Sequence, residues 1–248
     1  EEYAFAVNKS DDKLLAKANE YLAKIKADGT FDAICNKYFG DGTPTKITSS
    51  TLDESKDQLV VATSTGFEPF EMVDENGKFY GVDLEIAAGL AEYLGKELVI
   101  QDMKFEAVIT SVQTGICDIG MAGLTVTEKR KASVNFGDSY YNASQVLIVP
   151  EECTVFDSCK TADDVVAILD KLTKSNKIGC QTGTTGETYI VGDADKGDDG
   201  YGFKGLPATK MGYDYAALAV TAMLNGEIDY VVLDNAPANA IAKSVNGK

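Results

Sequence analysis

Residues 59–141 read LVVATSTGFEPFEMVDENGKFYGVDLEIAAGLAEYLGKELVIQDMKFEAVITSVQTGICDIGMAGLTVTEKRKASVNFGDSYY, and their rhythm sets the fold class. The continuous apolar run LVVAT at 59–63 predicts a buried strand. VDLEIAAGLAEYLG at 82–95 predicts a helix, ELVIQDM a strand, FEAVITSVQTG a helix and CDIGMAG at 117–123 a strand. Strands and helices alternating through short connections point to an α/β fold with a mostly parallel sheet.

Toward the C-terminus the alternation repeats: VLIVP, a helix over 162–172, the strand KIGCQT, a helix after Gly186, the helix AALAVTAMLNG, the strand DYVVLD and the helix APANAIAKSV. Two α/β lobes are expected. Toward the N-terminus, residues 2–7 read as a short strand, followed by an amphipathic helix through Leu14, Leu15, Ala18, Tyr21, Leu22 and Ile25 that stops at Gly29. A second helix over 31–38 ends at Gly40. Residues 41–58, rich in Thr, Ser, Gly and Pro with almost no apolar side chain, predict a flexible linker.

Composition narrows the function. The chain has 248 residues, 44% hydrophobic and 25% charged, with a formal net charge of −16. That charge repels phosphate backbones, so nucleic acid is not an expected partner. No apolar run approaches the roughly 20 residues needed to cross a bilayer, and no charged-then-apolar leader opens the chain. The sequence contains no His, the commonest metal ligand and neutral-pH base. Its five cysteines show no C-x-x-C spacing, so no metal site and no cofactor are expected. Cys117 and Cys180 fall in apolar strand runs. Cys153 and Cys159 bracket a polar loop, which leaves a disulfide between them open.

In open α/β sheets ligands sit at the carboxyl ends of strands. Arg130 is the only arginine and follows such an end, in AGLTVTEKR. A guanidinium is a planar fork that grips a carboxylate with two parallel bonds, which an ammonium cannot do. Thr125 or Thr127 can cap a helix there, with Glu128 spaced for a capping box on Thr125. A second helix start follows KIGCQT, at Gly183-Thr184-Thr185-Gly186-Glu187; with no Lys after its glycine it is not a phosphate loop. Asp234 ends DYVVLD, where an acid either caps the next helix or accepts from an ammonium. A carboxylate and a guanidinium are the minimum for holding a zwitterion. Phe67, in a Gly-bounded turn, and Phe105, opening a helix, supply apolar walls, while Phe70 reads as core.

The segment 59–141, together with GCQTGTTGE and NGEIDYVVLDNAPANAIA, strongly resembles the polar-amino-acid receptors of ABC importers, solute-binding proteins of family 3 with the type II periplasmic-binding-protein fold. The resemblance implies a two-lobed α/β receptor with its ligand in a cleft between the lobes. It implies that Arg130 binds the α-carboxylate, helped by amides near Gly123, Thr125 and Thr185. Asp234, the Thr125 hydroxyl and the Gly123 carbonyl would hold the ammonium. Phe67 and Phe105 would sandwich the side chain, and Ser64, Ala122 and Gln181 would read its identity. Ser64 stands where receptors for basic amino acids often place an acid, and Gln181 suits a polar uncharged side chain. The partners implied are a free amino acid and the membrane subunits of an ABC transporter. A monomer is expected, extracytoplasmic, either periplasmic or lipid-anchored at the outer face of the membrane.

One departure is large. The piece resembling residues 1–40 comes last in the family, so the order is circularly permuted. Restoring the family order by joining Lys248 to Glu1 makes lobe 1 residues 1–140, including the linker, and lobe 2 residues 141–248. It also predicts that Lys248 and Glu1 lie near each other. The rival readings are a small-carboxylate dehydratase on the same fold, for which Glu68 or Glu71 would be the base, and a ligand-sensing domain. Both glutamates read more simply as solvated charges in a turn, and the expectation is a binding protein without catalytic residues.

Overall fold

A computed structural model describes residues 1–193 and 202–247; the expected proximity of Lys248 to Glu1 lies outside the described residues. The chain divides into two compact units, Glu1–Ala143 and Ser144–Lys248. The first contains β1 (Glu2–Tyr3), β2 (Ala6–Asn8), α1 (Asp12–Ala27), α2 (Thr30–Phe39), β3 (Gln58–Thr63), β4 (Met72–Val73), β5 (Phe79–Tyr80), α3 (Val82–Leu94), β6 (Glu97–Asp102), α4 (Phe105–Gln113), β7 (Ile119–Gly120), α5 (Glu128–Lys131), β8 (Val134–Phe136) and β9 (Tyr141–Asn142). The second contains β10 (Gln145–Ile148), α6 (Ala162–Leu169), β11 (Lys177–Gln181), α7 (Thr185–Val191), β12 (Thr209–Tyr213), α8 (Ala216–Leu224), β13 (Tyr230–Asp234) and α9 (Asn235–Val245).

The main sheet of the first unit has the order β6-β3-β7-β2-β8. β3 runs parallel to β6 and β7, whereas β2 is antiparallel to both β7 and β8. The four-stranded sheet of the second unit, β10-β13-β11-β12, has a parallel core of β13, β11 and β12 and an antiparallel β10. Each sheet is thus mostly parallel, as expected, with one reversed strand, β2 in the first and β10 in the second. The helix-crossover rhythm reveals the parallel strands, but a strand brought in from outside a crossover unit is free to run either way.

Alternation along β13 shows how the second sheet is covered. Val231 packs with Ala219, Val220, Met223 and Ile228, while its neighbour Val232 packs with Leu169, Ile178, Cys180 and Ile190. Successive strand residues face opposite sides, so helices cover both faces. In the first unit, α4 lays Val108 and Val112 against Ala6, Ala62 and Leu124 of the sheet region. α1 approaches α3 where Gly89 offers no side chain: a Cβ there would stand 1.8 Å from the Tyr21 hydroxyl. Each large aliphatic side chain buried in these layers contributes about 1.5–3 kcal/mol.

Two N-terminal expectations change. The strand over 2–7 is two short strands, because β1 pairs with β9 while β2 pairs with β7 and β8. The segment over 41–58 is irregular but anchored. Ile47 is buried with Leu84 and Ile100, and it exchanges backbone hydrogen bonds with Phe79. Ser50 donates its amide to Leu98, and the Ser49 hydroxyl accepts from the Ile100 amide at 2.8 Å. One apolar side chain and a few hydrogen bonds suffice to dock it along β6. The strand TKMGY (β12) carries no apolar run and is absent from the sequence-based expectation. The five cysteines form no disulfide, Cys153 and Cys159 among them, and Cys117 and Cys180 are buried.

Candidate functional site

The candidate residues of the first unit stand on two loops at strand ends. The first leaves β3 through Ser64 and Thr65, both buried. Asp102, the last residue of the neighbouring β6, accepts from the Thr65 amide at 2.9 Å and from its hydroxyl at 2.6 Å. That clamp fixes the turn carrying Phe67. Phe67 is buried, with ring centroids 5.9 Å from Phe70 and 6.4 Å from Tyr3, so it belongs to an aromatic cluster as well as to the turn. Phe70 is fully buried, as expected of a core residue.

The second loop leaves β7 through Met121, Ala122, Gly123, Leu124 and Thr125, all buried. Gly123 has φ +54°, and a Cβ on it would come within 2.8 Å of the Phe67 ring. Glycine is needed there on both counts. The loop is laced to the N-terminal segment, with the Ala4 amide donating to Leu124 at 3.1 Å and the Val126 amide donating to Glu2 at 2.9 Å.

Arg130 reaches back over this loop. One guanidinium nitrogen donates to the Thr125 carbonyl at 2.7 Å, and the guanidinium carbon lies 5.2 Å from the centre of the Phe105 ring. Orientation by a carbonyl and an aromatic face presents a planar donor fork in a fixed attitude. The capping box expected on Thr125 is not formed. Thr127 is the N-cap and its hydroxyl accepts from the Arg130 amide, leaving Thr125 to the loop. The helix that follows spans only four residues, so the guanidinium and not a helix end supplies the positive charge.

The Gly123 amide is engaged from below. It donates at 2.8 Å to Oδ2 of Asp83, the same oxygen that accepts from the Tyr140 hydroxyl at 2.8 Å. Oδ1 is buried with no hydrogen-bond partner among the described residues. Burial pushes the Asp83 carboxyl up to about 7 in spite of both donors, and burial together with Asp83 holds the Tyr140 hydroxyl well above its usual value. Neither residue stands out in sequence, since an acid in the first turn of a helix is ordinary. The reading of Glu71 as a solvated charge is corrected: it is fully buried, its backbone paired with Phe67, whereas Glu68 is exposed.

In the second unit, Gln181, Thr185 and Asp234 are all buried. Asp234 precedes α9 but its side chain makes no capping bond. Its Oδ1 accepts from Gln145 Nε2 at 2.9 Å, and the same nitrogen lies 3.1 Å from the Thr185 hydroxyl. Gln145 stands opposite Asp234 in the β10–β13 register, which is how the bridge is placed. Gln181 donates to the Asp214 carbonyl at 3.1 Å. The helix start at GTTGE is partly satisfied from within: the Glu187 carboxylate accepts from the Gly183 amide at 2.6 Å and pairs with Lys210 at 2.5 Å. Sequence reasoning missed Gln145, Asp102, Asp83 and Tyr140. Asp102 alone carried a usable signal, an acid closing a strand as Asp234 does.

Among the described residues there is no cluster of three or more metal-binding side chains, and no helix is long and apolar enough to cross a membrane. The family described as "Bacterial extracellular solute-binding proteins, family 3" matches residues 59–190. The chain belongs to that family. It is 29% identical over 71% of its length to the "Probable histidine-binding protein" of Neisseria gonorrhoeae, of which the match spans 58%. A solved ancestral arginine-binding protein with bound arginine is 32% identical with a TM-score of 0.62, the match covering 76% of this chain and 75% of that one. An ancestral amino-acid-binding protein described as a precursor of cyclohexadienyl dehydratase matches at 30% identity and TM-score 0.62, covering 76% and 75%. The fold is the two-lobed type II periplasmic-binding-protein class of family 3, in agreement with the resemblance in the sequence.

Proposed function

We propose that this family 3 protein is the receptor that captures a free polar amino acid for an ABC importer. The observation that carries the reading is Arg130, the single arginine of the chain, oriented by the Thr125 carbonyl and the Phe105 face at the end of a central strand. The guanidinium binds the ligand α-carboxylate. Asp234, braced by Gln145 in the second unit, takes the α-ammonium, and Thr185 assists. Phe67 and Phe105 flank the ligand side chain; Ser64, Ala122 and Gln181 read its end. Because the Gly123 amide is committed to Asp83, Gly123 contributes its carbonyl to the ammonium, and its amide is not a carboxylate donor.

Neutral hydroxyl and amide groups at Ser64 and Gln181 suit a polar ligand, and the named relatives make histidine and arginine the first candidates to test. The protein acts without cofactor or catalytic residue, as a monomer outside the cytoplasm, periplasmic or lipid-anchored, and hands its ligand to the membrane subunits of the transporter. The two units serve as its lobes, with the N-terminal segment permuted from the end of the family order. The pairing of β2 between β7 and β8 supports that assignment. Calorimetry with arginine, lysine, histidine and glutamine tests the reading, with chromatography of the recovered ligand. Saturable binding of unchanged ligand is expected. No binding of any of the four, or a dehydrated product, overturns it.

A further inference from the structure

We propose that Asp83 is a positioning residue of the amino-acid site, locking the Gly123–Thr125 turn through its Oδ2 and tying that turn to the Tyr140 hydroxyl. The proposal rests on the receptor reading above. Gly123 has a positive φ and lies two residues before Thr125, whose carbonyl orients Arg130. On one side the turn is held by main-chain bonds from Ala4 and to Glu2. On the other it is held by the Asp83–Gly123 bond at 2.8 Å. Loss of that bond frees the amide of a residue whose carbonyl and near neighbours meet the ligand, so the error is passed to both charges of the zwitterion. A misplacement of even an ångström in such a constellation is costly.

The same contact makes the site sensitive to protons. Asp83 is fully buried, and both of its donors meet one oxygen while the other has none. The ionisable groups coupled to it are Tyr140 before β9 and Cys35 of α2, with Glu71 of the turn after β3 and Tyr3 of β1 acting on Tyr140. None of these is a cationic side chain, so none offsets a charge on Asp83, and burial lifts its carboxyl to about 7. A carboxyl in that range changes charge across neutral pH, and its charged form is the stronger acceptor for the Gly123 amide, so the hold on the turn, and ligand affinity with it, changes between pH 6 and 8.

The test is calorimetry on the full chain with whichever of the four amino acids it binds, with arginine, lysine and glutamine preferred because none of them titrates between pH 6 and 8 and histidine does. Wild type, Asp83→Asn, Asp83→Ala and Tyr140→Phe are compared. Wild-type affinity is expected to change about three- to tenfold between pH 6 and 8. Asp83→Asn, which keeps an acceptor for the Gly123 amide but cannot titrate, should bind independently of pH. Asp83→Ala should bind at least roughly tenfold more weakly at every pH. Tyr140→Phe removes a donor to the charged form and should move the midpoint upward. If Asp83→Ala does not fold, Asp83→Asn and Tyr140→Phe carry the test. Wild-type binding with unchanged affinity and pH profile in these variants overturns the proposal, whatever happens to their melting temperatures. Failure of wild type to bind any of arginine, lysine, histidine and glutamine overturns the receptor reading, and the positioning role with it.

Discussion

The candidate residues of the two units are braced by opposite means. In the first unit the loops after β3 and β7 are held by carboxylates, Asp102 on Thr65 and Asp83 on Gly123, and the group proposed to meet a ligand is the Arg130 cation. In the second unit the brace is the neutral amide of Gln145, and the group proposed to meet a ligand is the Asp234 carboxylate. The contrast has a simple electrostatic sense. An acceptor needs a donor to hold it, and a neutral donor leaves its charge intact for an incoming ammonium. A backbone amide needs an acceptor, which a carboxylate supplies more strongly than any neutral group. The cost falls on the first unit, where one of its two carboxylates is fully buried.

That cost gives the largest expected effect. The folded pKa of Asp83 is raised to about 7, above the roughly 3.9 of an unfolded chain. Between those values the folded protein holds a proton that the unfolded chain has lost, so stability falls as pH rises through the window and levels off above it. The loss between pH 5 and pH 7 is about 2 kcal/mol. Urea unfolding of wild type and Asp83→Asn at both pH values should show it as a slope present only in wild type. A parallel pair of curves would remove the asymmetry between the units.

Next come the offered charges. Arg130→Lys should weaken ligand binding at least tenfold, about 1.4 kcal/mol, since a point charge cannot reproduce the fork, and Asp234→Asn should cost a similar amount. Calorimetry that finds one of them silent would confine the site to the other unit. The smallest effect is expected from the neutral brace. Gln145→Leu takes one donor from Asp234 and Thr185 together and should weaken binding by about three- to fivefold. A loss as large as that of Asp234→Asn would show that orientation, and not charge, dominates in the second unit.

Much of the scaffold was legible because it is periodic. The runs that became β3, β11 and β13 and the amphipathic face of α1 announce themselves through apolar spacing alone. Strand-end logic likewise selected Arg130 and Asp234, residue types that ordinary solubility does not explain at those places. β12 escaped because it lies at a sheet edge, with residues half-exposed or exposed, and needs no apolar run. The docking of 41–58 escaped because a single isoleucine achieves it. Glu71 and Asp83 were misjudged or passed over for a deeper reason. A buried charge is written in the sequence with the same letter as a solvated one, and only its surroundings tell them apart.

The position of β2 also bears on how the protein is made. Each unit is one continuous stretch of chain, so the first is complete when the ribosome has passed Ala143, before β11 or β13 exists. Its N-terminal strand must nevertheless wait, because its partners Ile119, Gly120 and Val134–Phe136 are synthesised more than a hundred residues later. Until they emerge, Ala6 and Val7 present both strand edges to whatever is nearby. Synthesis thus sets an order in which the central helices and β3–β6 pair form early, closure of the sheet around β2 is the late step of the first unit, and the second unit folds after it.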